Sequence, residues 1–157
     1  MEIEGHRDVL ARRVRLGMVG GGRDAFIGAV HRIAARLDDN YVLVAGALSA
    51  SPEKAIESGR ALGLAEGRIY TSYVEMAESE AARSDGIEAV AIVTPNHLHV
   101  EIATAFLQRG IHVICDKPLA TSLRDAQALA DIVDRTGLIF TLTHTYAGYP
   151  MVREARQ

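Results

Sequence analysis

The chain has 157 residues, which is enough for one domain with a buried core. Its 17 basic and 20 acidic side chains are spread along the sequence and give a net charge of -3, so there is no basic stripe of the kind that binds nucleic acid. No apolar run could span a bilayer, the charged N-terminus has no signal-peptide core, and a single cysteine, Cys115, excludes an intrachain disulfide and a cysteine-cluster metal site. We therefore expect a cytoplasmic protein without a membrane, nucleic-acid or metal partner.

The first half of the chain alternates short apolar runs with helical patterns, after a polar arm over residues 1–13. The first apolar run ends at three consecutive glycines, and the second is apolar almost throughout, as a strand covered on both faces must be. Ser51 as N-cap and Pro52 at the first helical position mark the start of the second helix. The predicted elements are a strand over 14–19, a helix over 27–37, a strand over 41–48, a helix over 52–62 and a short strand over 68–71.

The second half continues this alternation. Ser72 and Glu75 form a capping box at the start of the third helix, and Ser122 caps the fifth. Residues 144–157 read as a linker-like loop followed by the start of a further helix. The remaining predicted elements are a strand over 88–93, a helix over 98–109, a strand over 111–115, a helix over 122–136 and a strand over 138–143.

Six strand patterns therefore alternate with five helical patterns between residues 14 and 143. Such alternation predicts an α/β fold with a parallel sheet and helices on both faces. Because parallel crossovers are right-handed, two βαβαβ halves give the strand order 3-2-1-4-5-6 of a doubly wound Rossmann sheet. Ligands bind such sheets beyond the carboxyl ends of the strands, so the loops that follow the strands are the candidate site.

The loop after the first strand has the form of a dinucleotide-binding turn. Gly20 lets the chain turn sharply, and Gly22 removes a Cβ where a pyrophosphate approaches the backbone. The third small residue is either Ala25 or Gly28, and we favour Gly28 because a regular helical stripe begins at Ile27. A glycine-rich turn without a ligand is the structural alternative. The following helix would offer its N-terminal N–H groups to the phosphates.

The loop after the second strand bears on the choice of cofactor. An NAD enzyme usually carries an acidic residue there, which binds the adenosine ribose, but this chain has Ser49, Ala50 and Ser51. The absence of the acid leaves NADP possible beside NAD, and Ser49, Ser51, Arg23 and Lys54 could bind its additional phosphate. A purely structural role for the two serines, in the turn and the helix cap, is the alternative.

The loop after the fourth predicted strand reads Thr94, Pro95, Asn96 and His97, with His99 two residues later. Proline fixes the turn, and the amide of Asn96 can both donate and accept hydrogen bonds. The two histidines could face a shared cleft, or the segment could simply cap a helix. No carboxylate or third histidine lies at a ligand spacing, so a metal site is not expected.

The loop after the fifth predicted strand contains Asp116 and Lys117. The chain has only two lysines, and an ammonium at the mouth of a parallel sheet is costly to desolvate unless a ligand uses it. Lys117 could bind a substrate hydroxyl or the nicotinamide ribose, and a surface lysine on a turn is the alternative. We assign structural places to His6, His31 and His112.

Taken together, these loops resemble the glucose–fructose oxidoreductase / inositol dehydrogenase / rhizopine-catabolism (Gfo/Idh/MocA) oxidoreductase family over residues 14–157. The resemblance rests on the glycine loop with Ile27-Gly28-x-x-His31, on Thr94-Pro95-Asn96-x-x-His99 and on Cys115-Asp116-Lys117-Pro118. The family usually has glutamate where this chain has Asp116.

The resemblance implies hydride exchange between NAD or NADP and a hydroxyl or carbonyl of a sugar or cyclitol. It places Lys117 near the nicotinamide and the reacting hydroxyl, and it places Asn96 and His99 at the nicotinamide end of the cofactor. Lys117 and His99 are thus the expected catalytic residues. The expected cofactor-binding residues are Gly20, Gly22, Arg23, Ile27, Ser49, Thr94, Asn96, His97, Asp116 and Lys117.

Family members continue into a second α/β domain that supplies most of the substrate pocket and an Asp-x-x-x-His pair. This chain stops at Gln157, so we expect a fragment, a truncated form or a natural short protein that binds a dinucleotide but is inactive alone. Self-association could cover apolar surface left exposed. The alternatives are a non-catalytic dinucleotide-sensing or partner-binding module and, less well supported, a methyltransferase.

Overall fold

The computed structural model describes residues 12–157, in which a parallel sheet carries helices on its two faces. Within these residues five strands hydrogen-bond in the order β2-β1-β3-β4-β5, and every pair is parallel. The predicted α/β class and doubly wound sheet are therefore confirmed. The strands are β1 Val14–Gly20, β2 Tyr41–Ala47, β3 Ala89–Val93, β4 His112–Asp116 and β5 Phe140–Thr143.

The first five helices connect successive strands, as the alternating pattern predicts, and a sixth helix follows the last strand. They are α1 Phe26–Leu37, α2 Pro52–Ala61, α3 Tyr73–Ala81, α4 His99–Leu107, α5 Leu123–Thr136 and the five-residue α6 Pro150–Glu154. Short 3-10 turns cover Glu66–Arg68, Asn96–Leu98 and Thr145–Gly148. The helix predicted to begin at residue 98 thus begins at His99, after a tighter turn.

Residues 68–71, predicted to form the third of six strands, do not form a strand, so this prediction is wrong. This segment makes a single parallel bridge, between Ile69 and Gly46 of β2, and Tyr70 N donates to Gly46 O at 2.8 Å. The bridge lies where the third strand of the order 3-2-1-4-5-6 would lie. The segment does not extend the ladder because Arg68 ends a 3-10 turn and is buried.

The two faces of the sheet bury separate apolar cores, as β3 shows most clearly. All five residues of β3 are buried; Val90 and Ile92 belong to one core and Ala89, Ala91 and Val93 to the other. The first core contains the inner sides of α3, α4 and α5, and the second contains parts of α1 and of the loop after α2.

Serine was predicted at the N-cap of three helices, and it occupies that position in all three. Two of the serines also make the capping hydrogen bond. Ser72 Oγ accepts a hydrogen bond from Val74 N at 3.2 Å, and Ser122 Oγ accepts one from Asp125 N at 3.1 Å. The Ser51 hydroxyl makes no capping hydrogen bond and instead donates to Glu53 Oε2 at 2.8 Å. Cys115 of β4 is buried, and burial raises the pKa of its thiol to about 12.

A buried ion pair joins the bridge segment to α3. Arg68 donates to both carboxylate oxygens of Glu80, which is 1% exposed, and Tyr70 Oη donates to Glu80 Oε1 at 2.8 Å. The backbone N–H of Ile87 donates to Glu80 Oε2 at 3.1 Å. Burial, followed by the Glu80 carboxylate, raises the pKa of Tyr70 to about 12. All four hydrogen-bonding positions around this carboxylate are thus used.

Most of the arm predicted over residues 1–13, including His6, lies outside the described residues. Arg12 donates to both oxygens of Glu88, at 2.6 and 2.7 Å, and holds the pKa of Glu88 at about 2.

Within residues 12–157 no helix is long and apolar enough to cross a membrane.

Candidate functional site

A cavity of about 780 Å³ opens at the carboxyl ends of β1, β2 and β3, where ligands bind in sheets of this type. The glycine loop forms its floor, the loop after β2 forms one wall and the loop after β3 forms another. The lining residues are 19–25, 47–50, 54, 57, 58, 71–73, 93–95, 98 and 102.

The glycine loop has the backbone that only glycine adopts easily. Gly20 has a φ of +77° and Gly21 a φ of +68°. A Cβ on Gly28 would lie 2.4 Å from Gly21 Cα and 2.5 Å from Gly21 O, so α1 packs directly on the loop. This contact confirms Gly28, and not Ala25, as the third glycine of the motif.

Gly22 brings the loop against α2. A Cβ on Gly22 would lie 2.9 Å from both Leu48 O and Ser58 Oγ. The Ser58 hydroxyl accepts a hydrogen bond from Arg23 N at 3.2 Å and fixes the exit of the loop. Ser58 was not predicted, and the available signal was a small polar residue, followed by Gly59, on the buried side of α2.

Arg32 also holds the glycine loop and was not predicted. Its guanidinium reaches back from α1 and donates to Gly21 O at 2.5 Å. Burial, with a smaller contribution from Arg36, lowers the pKa of Arg32. The first N–H groups of α1 have no side-chain cap from Ala25, so the loop presents backbone donors to the cavity.

The wall formed by β2 and α2 combines opposite charges. Arg23 donates to Glu57 Oε1 at 3.1 Å, and both side chains are exposed. Ser49 Oγ accepts from Ser51 N at 3.1 Å. Lys54 lies on the same wall. The sequence indicated Ser49 and Arg23, but it gave no reason to single out Glu57 among the acidic residues of α2.

The wall formed by the loop after β3 contains a polar atom that nothing in the protein satisfies. Thr94 Oγ1 is buried and has no hydrogen-bond partner among the residues that the structure describes. Asn96 and His97 lie in the 3-10 turn that follows, are exposed and do not line the cavity. The orphaned hydroxyl and the glycine cradle, which a Cβ would fill, fit a bound dinucleotide.

His99 is 0% exposed at the start of α4. Its Nδ1 lies 2.7 Å from Pro118 O and its Nε2 lies 2.9 Å from Thr94 O. Both ring nitrogens are thus occupied by backbone carbonyls. The direct catalytic contact expected for His99 does not fit this placement.

Asp116 is the last residue of β4 and Lys117 follows it at the same edge of the sheet, and the Lys117–Pro118 peptide is cis. Asp116 is buried, and its Oδ1 accepts from Thr143 Oγ1 at 2.9 Å. His31 Nε2 lies 3.7 Å from the same oxygen, while burial lowers the pKa of His31 against the influence of Asp116. His31 thus lies beside the candidate site. Lys117 is exposed.

The structure divides the predicted site residues into two groups. One group lines the cavity, and the other lies outside the lining, in the following helix starts and loops. The first group is Gly20, Gly22, Arg23, Ser49 and Thr94. The second group is Ile27, Asn96, His97, His99, Asp116 and Lys117. His112, given a structural place, accepts a hydrogen bond from Ile139 N at 3.1 Å.

Two known bacterial proteins are similar to this chain over most of its length but over less than half of their own. The uncharacterized oxidoreductase YfiI of Bacillus subtilis is 38% identical over 99% of this chain and 40% of its own length. The rhizopine catabolism protein MocA of Rhizobium meliloti is 34% identical over 78% of this chain and 35% of its own length. The chain thus spans about 40% or less of these relatives.

Solved structures show the same partial coverage. An inositol dehydrogenase homolog of Azotobacter vinelandii, crystallised with NADH and myo-inositol, is 42% identical, with a TM-score of 0.89 over 93% of this chain and 38% of that one. An oxidoreductase of Sinorhizobium meliloti is 63% identical, with a TM-score of 0.86 over 92% of this chain and 40% of that one.

Residues 14–144 match the sequence model of the oxidoreductase family with an NAD-binding Rossmann fold, known as Gfo/Idh/MocA. The match contains the glycine loop, the orphaned Thr94 hydroxyl and the Lys117 turn. The chain therefore belongs to the Gfo/Idh/MocA oxidoreductase family and carries its NAD-binding Rossmann domain.

Proposed function

We propose that this chain is the cofactor-binding part of an oxidoreductase that exchanges a hydride between NAD and a hydroxyl or carbonyl group of a sugar or cyclitol. The observation that carries the proposal is the glycine-floored cavity, with Lys117 exposed at the same edge of the sheet. The Azotobacter vinelandii homolog, crystallised with NADH and myo-inositol, supports this substrate class.

In this proposal the protein positions the cofactor, and the nicotinamide supplies the redox chemistry. The glycine loop and the first turn of α1 bind the pyrophosphate through backbone N–H groups. We assign Thr94, whose hydroxyl is unsatisfied in the cavity wall, to the nicotinamide end, together with Asn96 and His97 in the exposed turn that follows it. Lys117 donates a hydrogen bond to the reacting oxygen of the substrate and favours proton transfer there.

We further propose that NAD is preferred to NADP. The Glu57 carboxylate lies in the cavity wall and partly neutralises Arg23, the cation that could otherwise bind a ribose phosphate. A negative charge there repels the additional phosphate of NADP. Structures of the Azotobacter vinelandii homolog with NAD+ and with NADH agree with this preference.

Titration of the chain with NADH and with NADPH, followed by nicotinamide fluorescence, tests both statements. The chain has no tryptophan, so the protein background is small. We expect saturable NADH binding and NADPH binding about tenfold weaker, a gap of about 1.4 kcal/mol. Glu57→Gln should narrow that gap. Absence of saturable binding by either dinucleotide would overturn the cofactor assignment, and equal affinities would overturn only the preference.

Arg32→Met is expected to weaken NADH binding about tenfold, because the glycine loop loses the donor that holds the Gly21 carbonyl. The same fluorescence titration measures the effect. Arg36→Met removes an exposed arginine one turn further along α1 and is the matched control. Equal affinities for the two variants would show that the Arg32 contact does not shape the loop.

The proposal assigns catalysis to a protein in which residues 14–143 form the cofactor domain and a second domain completes the substrate pocket. Mixed with NAD+ and myo-inositol, the 157-residue chain should therefore produce no NADH. Measurable NADH formation would contradict the proposal that a second domain is needed for catalysis.

The proposal also includes a cytoplasmic location and association of copies. Phe26, Ile33 and Leu37 leave an exposed apolar stripe on α1 that a second copy could cover. Light scattering at increasing concentration tests the association, and a monomer throughout would exclude it.

A further inference from the structure

We propose that His99 is a positioning residue that holds Lys117 in place through the Pro118 carbonyl. The inference rests on the proposed function, in which Lys117 acts at the nicotinamide end of the site. It replaces the direct catalytic contact that the sequence motif suggested for His99.

The first argument is where the ring lies. His99 begins α4, directly after the loop that follows β3, and its ring is fully buried. Nε2 meets Thr94 O at 2.9 Å, within the loop after β3, whereas Nδ1 meets Pro118 O at 2.7 Å, in the loop after β4. One side chain thus joins the two loops that carry Thr94 and Lys117.

The second argument is the chemistry of the two contacts. A carbonyl oxygen can only accept, so each ring nitrogen that hydrogen-bonds here must carry a proton. A neutral imidazole carries one N–H, and the proposal assigns it to the shorter contact, from Nδ1 to Pro118 O at 2.7 Å. With that proton in place, the ring restrains the backbone directly after Lys117.

The third argument is that the other side of Lys117 is anchored as well. Asp116, the preceding residue, is buried and accepts a hydrogen bond from Thr143 Oγ1 at 2.9 Å. The same hydroxyl also donates to Cys115 O at 3.3 Å. The backbone before Lys117 is thus tied to β5, and the backbone after it is tied to His99. Lys117 itself is exposed between these two anchored segments, so its side chain can contact a ligand while its backbone is held in place.

Two substitutions separate the contacts of the ring. Asparagine places its amide nitrogen close to the position of Nδ1, so His99→Asn keeps a donor for Pro118 O. Glutamine places its amide nitrogen close to that of Nε2, so His99→Gln keeps a donor for Thr94 O and loses the other. The proposal requires the two variants to behave differently at Lys117, whereas a merely structural role for His99 would not.

The two lysines of the chain, Lys54 and Lys117, provide the readout. Reductive methylation with 13C-formaldehyde labels both lysines and the N-terminal amine and keeps their charge, and Lys54→Arg and Lys117→Arg assign the two lysine signals. Lys54 belongs to α2 and lines the cavity wall, so its signal reports cofactor binding. Lys117 reports the positioning of the ammonium.

During a titration with NADH, both signals should shift in the wild-type chain. Both should also shift in His99→Asn, whereas in His99→Gln the Lys54 signal alone should shift. A Lys117 shift that survives in His99→Gln, or that is lost equally in both variants, would overturn the proposal. A wild-type chain in which Lys54 responds and Lys117 does not would instead contradict the role proposed for Lys117.

A measurement on the wild-type chain covers the case in which the variants do not fold. Long-range 1H–15N correlation of the His99 ring shows which nitrogens are protonated. The proposal requires a proton on Nδ1 that exchanges slowly with solvent. A ring with a bare Nδ1 would overturn it without any variant.

Discussion

Replacement of Gly28 by alanine is expected to abolish measurable NADH binding and to destabilise the chain by about 3 kcal/mol. The new Cβ would lie 2.4 Å from Gly21 Cα and 2.5 Å from Gly21 O, far inside van der Waals contact. These are backbone atoms, so no side chain can rotate to make room. Gly21 is itself held at a φ of +68°, and the clash would force the phosphate-binding turn away from α1.

The matched control for this prediction is Gly67→Ala. No described atom lies within 4 Å of the Cβ that it would add, and Gly67 has no positive φ. Urea unfolding followed by circular dichroism gives the stability of each variant, and nicotinamide fluorescence gives its affinity for NADH. Wild-type affinity in a folded Gly28→Ala chain would show that contact between α1 and the loop is not needed for the cofactor site.

The sheet could be predicted from sequence because its strands are buried on both faces and so leave continuous apolar runs. The run that became β3 has all five residues buried. The segment over 68–71 lacks that burial pattern, and its Arg68 is withdrawn into an ion pair with Glu80, twelve residues further along the chain. A pairing between two separate elements leaves no periodic signal, so a single bridge was mistaken for a strand.

In the candidate site, too, the features set by the strands could be predicted and those set by contacts between separate elements could not. Loops that follow strands could be located because the carboxyl edge of a parallel sheet collects them, and the close approach of Gly28 to Gly21 confirms the register of the motif. Ser58, Arg32 and Glu57 were missed because they reach the loop from helices. Which helical side chain arrives there depends on how the helix packs, and that is set by tertiary contacts.

His99 illustrates a third case, in which the residue was found but its contacts could not be inferred. The motif spacing placed it close to the loop after β3. The structure directs both ring nitrogens to backbone carbonyls, at 2.7 and 2.9 Å, in place of the cavity. The sequence contains no information on the carbonyl of Pro118, which is 19 residues away in the chain.

Replacement of Glu80 by alanine is expected to destabilise the chain by about 3 to 5 kcal/mol, because the buried Arg68 guanidinium would lose its principal counter-charge. Tyr70 Oη and Ile87 N would lose their acceptor at the same time. Urea unfolding measures the loss. Glu66→Ala is the control, because it breaks an ion pair with Arg60 in which both side chains are exposed, and the unfolding midpoint should hardly move.

A second comparison shows whether the loss comes from the stranded charge or from the missing contacts. Arg68→Met combined with Glu80→Met removes both charges and keeps apolar volume in their place. If the uncompensated guanidinium causes the loss, this double variant should be more stable than Glu80→Ala, because replacing a buried ion pair by apolar side chains is often nearly neutral. A double variant as unstable as Glu80→Ala would instead assign the loss to the hydrogen bonds of Tyr70 and Ile87, which neither methionine can accept.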